Sequence, residues 1–80
     1  MKPIEEIKEL AQEFIDGRDR SMRLVGKIEN ILISEFLDAD LYEKLTEAVS
    51  LYRPGEGLPY YSEQDMKEAL EGALGIGPNS

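Results

Sequence analysis

The sequence predicts an all-α fold, a small antiparallel four-helix bundle with helices over about 3–16, 20–37, 39–53 and 63–74. Apolar residues recur at intervals of three and four in these segments, the spacing that places them on one side of a helix. Alternation of apolar and polar residues, typical of a half-buried strand, persists nowhere. Short turns and one longer loop connect the segments, so we expect neighbouring helices to run antiparallel.

The first helix has clear signals at both ends. Pro3 suits the first turn, where its missing N–H is not needed, and Gly17 is placed to end the helix. The apolar stripe between them consists of Ile4, Ile7, Leu10, Ala11, Phe14 and Ile15. This stripe predicts an amphipathic helix with one buried side.

The second segment begins near Asp19 or Ser21 and is apolar around most of its circumference. Its apolar residues are Met22, Leu24, Val25, Ile28, Ile31, Leu32, Ile33, Phe36 and Leu37. Such a wide stripe predicts the central helix of the fold, packed by the others. Gly26 costs about 1 kcal/mol relative to alanine in a helix interior, and it indicates either close packing of another helix or a kink.

The start of the third helix has two candidate signals. Asp38 would place Leu37 and Tyr42 as a hydrophobic staple, whereas Asp40 and Glu43 would form a capping box. The apolar stripe of this helix consists of Leu41, Leu45, Ala48, Val49 and Tyr52. Both alternatives predict a helix that begins close to residue 39.

The fourth helix has the best-marked start. Ser62 and Asp65 form a box-like cap, Tyr61 and Met66 occupy the staple positions, and Gly75 is placed to end the helix. Its apolar stripe consists of Met66, Ala69, Leu70, Ala73 and Leu74.

Length and composition limit what the protein can be. Eighty residues are enough for one compact domain, which we expect over 1–75, with a disordered tail over 76–80. The chain has neither cysteine nor histidine, which excludes disulfides, thiolate chemistry and imidazole catalysis. It has no signal-peptide pattern and no apolar run near the ~18 residues of a membrane span. We therefore expect a cytoplasmic protein with no cofactor.

The net charge of −8 is unevenly distributed. Residues 1–27 carry six acids and six bases, whereas residues 28–80 carry eleven acids and three bases. Such a surface repels phosphate backbones and anionic lipids, so we expect no nucleic-acid or membrane partner and an attraction to a basic protein. The alternative is that the acidity only keeps a small domain in solution.

Four of the nine basic residues cluster within ten positions before and inside the second helix. They are Arg18, Arg20, Arg23 and Lys27. Together with the free amides of a helix start, they form a candidate anion site for a phosphate or carboxylate. Asp19 lies four residues before Arg23 and acids are abundant elsewhere, so pairing with the protein's own carboxylates is the favoured interpretation.

A second cluster, of acids, surrounds the start of the third helix: Asp38, Asp40, Glu43 and Glu47. A calcium loop of the EF-hand type needs glycine at its sixth and glutamate at its twelfth position, but counting from Asp38 these are Glu43 and Val49. Catalysis by paired carboxylates needs a concave pocket for which so small a bundle has little volume. We therefore predict no metal site and no enzymatic activity, and we assign the acids to capping.

Asp38-Ala39-Asp40-Leu41 resembles the Asp-Ser-Leu attachment motif of acyl and peptidyl carrier proteins, with the serine missing. In that family the serine hydroxyl carries the prosthetic arm. The nearest serines, Ser34 and Ser50, lie inside predicted helices. The resemblance therefore implies a carrier-like helical bundle without carrier chemistry.

The most specialised segment is the loop 51–62, which holds three of the four tyrosines. Tyrosines on a proline-flanked loop of an acidic protein predict an aromatic anchor for a protein partner. The candidate contact residues are Arg53, Glu56, Leu58, Tyr60 and Tyr61. Structural roles are the alternative, with Tyr52 on the third helix, Tyr61 as a staple, and Leu58 with Tyr60 capping the open end of the bundle.

Residues 41–75 resemble the colicin-type bacteriocin immunity proteins, small acidic four-helix bundles that inhibit a cognate nuclease toxin. The shared features are a helix rich in leucine and glutamate, a Pro-Gly loop, adjacent tyrosines and a final helix. The resemblance implies that Tyr60 and Tyr61 pack against the toxin and that Glu56 meets its basic surface. That family has Tyr-Tyr-Pro after an aspartate, whereas here proline precedes the pair and serine follows it.

The sequence thus predicts a non-enzymatic protein-binding domain, with an immunity-type inhibitor of a basic toxin as its most specific form. The competing prediction is a structural or regulatory homo-oligomer that associates through the excess apolar surface of the second helix, where Ile33 and Leu37 lie well around from Val25 and Leu32. Both a monomer and a homodimer remain open.

Overall fold

Four helices make up most of residues 2–77, which is the part of the chain that the computed structural model describes. They are α1 (Pro3–Ile15), α2 (Met22–Glu35), α3 (Asp40–Leu51) and α4 (Glu63–Leu74). Each helix packs against two others, α1 and α3 each against both α2 and α4. This arrangement confirms the predicted all-α four-helix bundle.

The hydrophobic core draws on all four helices. Within the described part of the chain its fifteen buried residues are Ile7, Ala11, Phe14, Ile15, Leu24, Val25, Ile28, Leu32, Leu45, Ala48, Val49, Tyr52, Met66, Leu70 and Leu74. On each helix these residues recur at intervals of three or four, as an amphipathic helix requires. None of the helices among residues 2–77 combines the length and apolar composition that crossing a bilayer requires.

The start of α2 is settled by its capping residue. The Ser21 hydroxyl accepts a hydrogen bond from Leu24 N at 3.2 Å, which makes Ser21 rather than Asp19 the N-cap. Asp19 supports this turn from outside, because its Oδ1 accepts a bond from Ser21 N at 3.0 Å. The helix therefore begins two residues later than predicted.

The prediction that α2 is the central helix was wrong. It packs against α1 and α3 and not against α4, and it ends at Glu35 instead of residue 37. Ile33 and Leu37 are about half exposed, at 50% and 56%. The expected close approach at Gly26 is also absent, since a Cβ added there would meet nothing within 4 Å.

Both predicted caps of α3 were wrong. The N-cap is Ala39, without a side-chain hydrogen bond, and Asp40 is the first helical residue. Backbone bonds form this turn instead, from Ala39 N to Phe36 O at 2.9 Å and from Tyr42 N to Ala39 O at 3.1 Å. The helix ends at Leu51, two residues before the predicted end.

The start of α4 is the predicted one. Ser62 Oγ accepts from Asp65 N at 3.2 Å and Asp65 Oδ2 accepts from Ser62 N at 3.1 Å, which completes the capping box. Gly75 then ends the helix in the left-handed conformation, at φ +67°.

The predicted tail, 76–80, is described at its first two residues. Ile76 packs against the core, and Gly77 O accepts a hydrogen bond from Gln12 Nε2 at 2.8 Å. These two residues are therefore attached to the bundle, in contrast to the disorder expected for them. Residues 78–80 lie outside the described part of the chain.

Candidate functional site

The loop between α3 and α4 is closed at its base by backbone hydrogen bonds. Tyr61 N donates to Leu51 O at 2.8 Å, and Arg53 N donates to Tyr61 O at 3.0 Å. These two bonds form an isolated parallel bridge between Tyr52 and Tyr61. The chain thus leaves the bundle and returns to it at the same place, and residues 53–60 project between these two points.

Tyr52 anchors this base in the core. Its side chain is 1% exposed, and its ring meets the Phe14 ring edge-on, with centroids 5.4 Å apart and an interplanar angle of 73°. Its hydroxyl donates to Arg20 O at 2.6 Å. Burial raises the pKa of the Tyr52 hydroxyl above its ordinary value, and the Glu63 carboxylate adds to this rise.

Arg20 connects the same base to two helix ends. Its Nε donates to Phe14 O at 2.8 Å and its Nη2 to Ile15 O at 3.2 Å, which satisfies carbonyls at the end of α1. Its Nη1 pairs with Glu63 Oε1 in the first turn of α4 at 3.3 Å, and its guanidinium lies over the Phe14 ring at 5.5 Å. The Arg20 side chain therefore has a structural role, distinct from the predicted anion site.

The other three members of the basic cluster are exposed. Arg18 pairs with Asp16 at 3.5 Å. The hydrogen bonds from Ser21 lower the pKa of Asp19, and the positive charges of Lys27 and Arg23 act in the same direction. Of these three residues, Arg18 pairs with one of the protein's own carboxylates, as the favoured interpretation expects, while Arg23 and Lys27 act on Asp19 through their charge.

The tip of the loop is exposed and turned by glycines. Gly55 and Gly57 have φ values of +87° and +77°, a region that side chains other than glycine disfavour. Leu58 is 94% exposed, so the prediction that it helps to cap the bundle was wrong. Tyr60 is 36% exposed, and the Arg53 guanidinium lies 5.8 Å from its ring centre.

The remaining predicted contact residues divide between tip and base. Glu56 is exposed, and its backbone N–H donates to Arg53 O at 3.2 Å within the loop. Tyr61 is half-buried and packs against the core, so much of its surface serves the bundle.

Residues of the loop line two grooves. The α4 groove, of about 470 Å³, is lined by Leu58, Pro59, Tyr60, Tyr61, Asp65, Glu68 and Ala69. The Met22 groove, of about 250 Å³, is lined by Met22, Arg53, Pro54 and Glu56. The loop therefore presents apolar and charged side chains together in both grooves.

Six of these lining residues had not been assigned to the site from the sequence: Met22, Pro54, Pro59, Asp65, Glu68 and Ala69. Met22 lies at the start of α2, far from the loop in sequence, and no sequence pattern connects the two. Asp65 and Glu68 could have been assigned to the site from the sequence, because residues three apart on a helix share a face and both residues follow the loop closely.

The acids at the start of α3 lie at the surface. Asp38, Asp40, Glu43 and Glu47 are all exposed, and Asp40 and Glu43 lie in the first turn of α3, where a helix favours negative charge. Among residues 2–77 no three acidic side chains converge in an arrangement that could hold a metal ion.

Comparisons of the chain with protein-family models, with curated proteins and with solved structures found no match.

Proposed function

We propose that this protein binds a basic protein partner through the loop 53–60 and the adjoining acidic side of α4, and that it catalyses no reaction. The observation that carries the proposal is the exposure of Leu58, 94%, at the tip of a loop that hydrogen bonds close at its base. Leucine is apolar, so moving this side chain out of water into an interface contributes roughly 1.5–3 kcal/mol to the free energy of binding.

The closed base makes this contact efficient. Ordering a flexible loop on binding costs free energy, which the Tyr52–Tyr61 bridge reduces because the ends of the loop are already held. Tyr60 lines the same groove as Leu58 and supplies a large aromatic surface with a polar hydroxyl, and tyrosine is a residue type enriched in interfaces. Leu58 and Tyr60 would therefore form the centre of the contact.

Charge supports a basic partner. The chain has a net charge of −8, and the loop is followed by Asp65 and Glu68, which line the α4 groove. Complementary charge increases the association rate and disfavours acidic competitors. Sodium chloride should accordingly weaken the complex by slowing association.

The most specific form of this proposal is an immunity-type inhibitor of a basic toxin. Its support is the resemblance of residues 41–75, which implies toxin contacts for Tyr60, Tyr61 and Glu56. Tyr61 is half-buried and bridged to the base of the loop, so in this chain Tyr60 and Leu58 would make the larger share of the contact.

A matched pair of surface variants tests the proposal. The immobilised protein captures its partner from cells of its native host, and calorimetry then measures the affinity of that purified partner for Leu58→Ser and Ile33→Ser. Both leucine and isoleucine are exposed, so neither change should disturb the fold. We expect Leu58→Ser to raise the dissociation constant at least about tenfold, since about 1.4 kcal/mol is lost, and Ile33→Ser to leave it unchanged; the reverse result would contradict the proposal.

A second candidate function has its own observation. Ile33 and Leu37, at 50% and 56% exposure, leave apolar surface uncovered at the end of α2, which favours a homo-oligomer joined through that helix. Light scattering over a range of concentrations tests it. A concentration-dependent dimer that Leu37→Ser converts to monomer would support this candidate, and a monomer throughout would contradict it.

A further inference from the structure

The α4 groove combines an aromatic ring with carboxylates. Loop residues Leu58 and Tyr60 line it together with Asp65 and Glu68 of α4, and it is an open surface groove of about 470 Å³. The two acids are three residues apart, so they lie on one face of the helix. The groove is therefore apolar in part and negative in part.

The carboxylates are held in place and keep capacity for a further donor. Asp65 accepts from Ser62 N through Oδ2 at 3.1 Å, and Glu68 accepts from Gln64 Nε2 through Oε2 at 2.7 Å. Each bond uses one of the two carboxylate oxygens, and each oxygen has two acceptor sites. The nearest cation along α4, Lys67, pairs with Glu71 at 3.6 Å.

The Tyr60 ring is already placed to interact with a cation. The Arg53 guanidinium lies 5.8 Å from its centre, a distance at which the ring quadrupole attracts positive charge. Arg53 lines the Met22 groove, whereas Tyr60 lines the α4 groove, to which Arg53 does not contribute. A second cation that enters the α4 groove would therefore reach Tyr60 from the groove.

We propose that the α4 groove binds an arginine side chain of the partner, with the guanidinium over Tyr60 and paired with Glu68 and Asp65. Arginine suits the site better than lysine, because its planar guanidinium stacks on rings and donates to carboxylates through two N–H groups at once. The inference rests on the proposed function, to which it adds the chemistry of the recognised residue.

Short peptides test the groove without the natural partner. The probe is acetyl-Gly-Leu-Arg-Leu-Gly-amide, with citrulline as a neutral replacement for arginine and with lysine as the alternative cation. Titration followed by amide ¹H–¹⁵N spectra locates the contact and measures affinity. We expect shifts at residues 58, 60, 61 and 65–69, and an arginine peptide that binds about fivefold more tightly than the citrulline peptide, from one cation–π contact and the exposed ion pairs with Glu68 and Asp65.

Two charge-matched variants complete the test. Glu68→Gln should weaken the arginine peptide about threefold and leave the citrulline peptide unchanged, since only one ion pair is lost. Glu5→Gln removes an equal charge from the exposed first turn of α1, away from the groove, and should alter neither. Equal affinities for arginine and citrulline, equal effects of the two variants, or shifts elsewhere would overturn the inference, and a lysine peptide that binds as well as arginine would overturn the choice of arginine.

The two variants Leu58→Ser and Glu68→Gln distinguish the arginine site in the α4 groove from the loop as a binding site. If Leu58→Ser weakens the captured partner while Glu68→Gln does not, the loop is the binding site and the groove does not take an arginine. If Leu58→Ser leaves the affinity for the partner unchanged, the proposed function itself fails, whatever the peptides do.

Discussion

The base and the tip of the loop between α3 and α4 contain the same residue types in opposite surroundings. Tyr52, at the base, is 1% exposed, packs edge-on against Phe14 and donates its hydroxyl to Arg20 O. Tyr60, at the tip, is 36% exposed and contacts Arg53 within the loop. Only the base is connected to the core, so stability depends on Tyr52, whereas the proposed recognition depends on Tyr60.

This separation means that the tip can be optimised for a partner at little cost to folding. Arg20 and Tyr52 join the end of α1, the end of α3 and the start of α4 at the base, whereas Leu58 at the tip has almost its whole side chain in water. Variants at the base should therefore change stability, and variants at the tip should change binding.

The largest difference is expected between Tyr52→Ala and Tyr60→Ala. Removing the buried ring of Tyr52 should lower the free energy of unfolding by about 3–5 kcal/mol, because it leaves a cavity beside Phe14. Tyr60→Ala should lower it by no more than about 0.5 kcal/mol. Urea denaturation followed by circular dichroism measures both, and similar losses would remove the distinction between base and tip.

Arg20→Ala should have the next largest effect on stability, a decrease of about 2 kcal/mol in the free energy of unfolding. It removes charge-assisted bonds to Phe14 O, Ile15 O and Glu63 at a site where the side chain is 30% exposed. Arg18→Ala is the matched control, since that side chain is 61% exposed and should contribute less than about 0.5 kcal/mol. The same denaturation assay applies, and an Arg20→Ala protein as stable as Arg18→Ala would show that the network contributes little.

Alkaline pH should lower the stability of the protein through Tyr52, at the base of the loop. The raised pKa of Tyr52 means that the folded protein keeps the hydroxyl proton after the unfolded chain, with its ordinary value of 10.0, has lost it. Stability from this group is therefore fully present below pH 10 and falls as pH rises toward the folded pKa, by up to about 1.4 kcal/mol per pH unit.

The comparison for this effect is Tyr52→Phe, which keeps the ring and removes the titrating group. Subtracting its unfolding free energy from that of the unchanged protein, between pH 8 and 11.5, cancels the groups that both proteins share. The difference should fall above pH 10, and a difference that stays constant would show that Tyr52 does not titrate differently in the two states.

The smallest expected effect is that of Leu58→Ser on stability. Because Leu58 is 94% exposed, the substitution should change the free energy of unfolding, measured by thermal melting, by no more than about 0.5 kcal/mol. The affinity for the partner should fall. Ile33→Ser provides the control with an equally polar replacement at the other exposed apolar region. A decrease of more than about 1 kcal/mol in the free energy of unfolding for Leu58→Ser would place this side chain against the bundle in solution. That result would contradict the distinction between the base and the tip of the loop.

Periodicity was sufficient to predict the helices because burial of one helix face dominates the energetics of a small bundle. Local chemistry was sufficient for the Ser62–Asp65 capping box, whose partners are three residues apart. It failed at the start of α3, where two aspartates offered caps but backbone bonds around Ala39 formed the turn. A capping residue is predictable when the sequence offers a single candidate for the position, and much less so when it offers two.

The base of the loop could not be predicted from the sequence. Arg20 meets Tyr52 and Glu63, which are 32 and 43 residues away along the chain, and nothing in a local pattern specifies such pairs. The sequence did single out the tyrosines of the loop, but their separation into a buried Tyr52, a half-buried Tyr61 and an exposed Tyr60 depends on the Tyr52–Tyr61 bridge. Loop residues acquire their roles from contacts that form only when the helices assemble.

The same bridge has a consequence for how this protein can diversify. Because Tyr52 and Tyr61 hold the two ends of the loop side by side, the residues between them can be exchanged, lengthened or shortened while the helices keep their positions. If the loop binds a partner as proposed, a lineage that conserves the bundle could thus acquire new partners by substituting one short segment. A laboratory library confined to residues 53–60 would explore the same freedom on an unchanged framework.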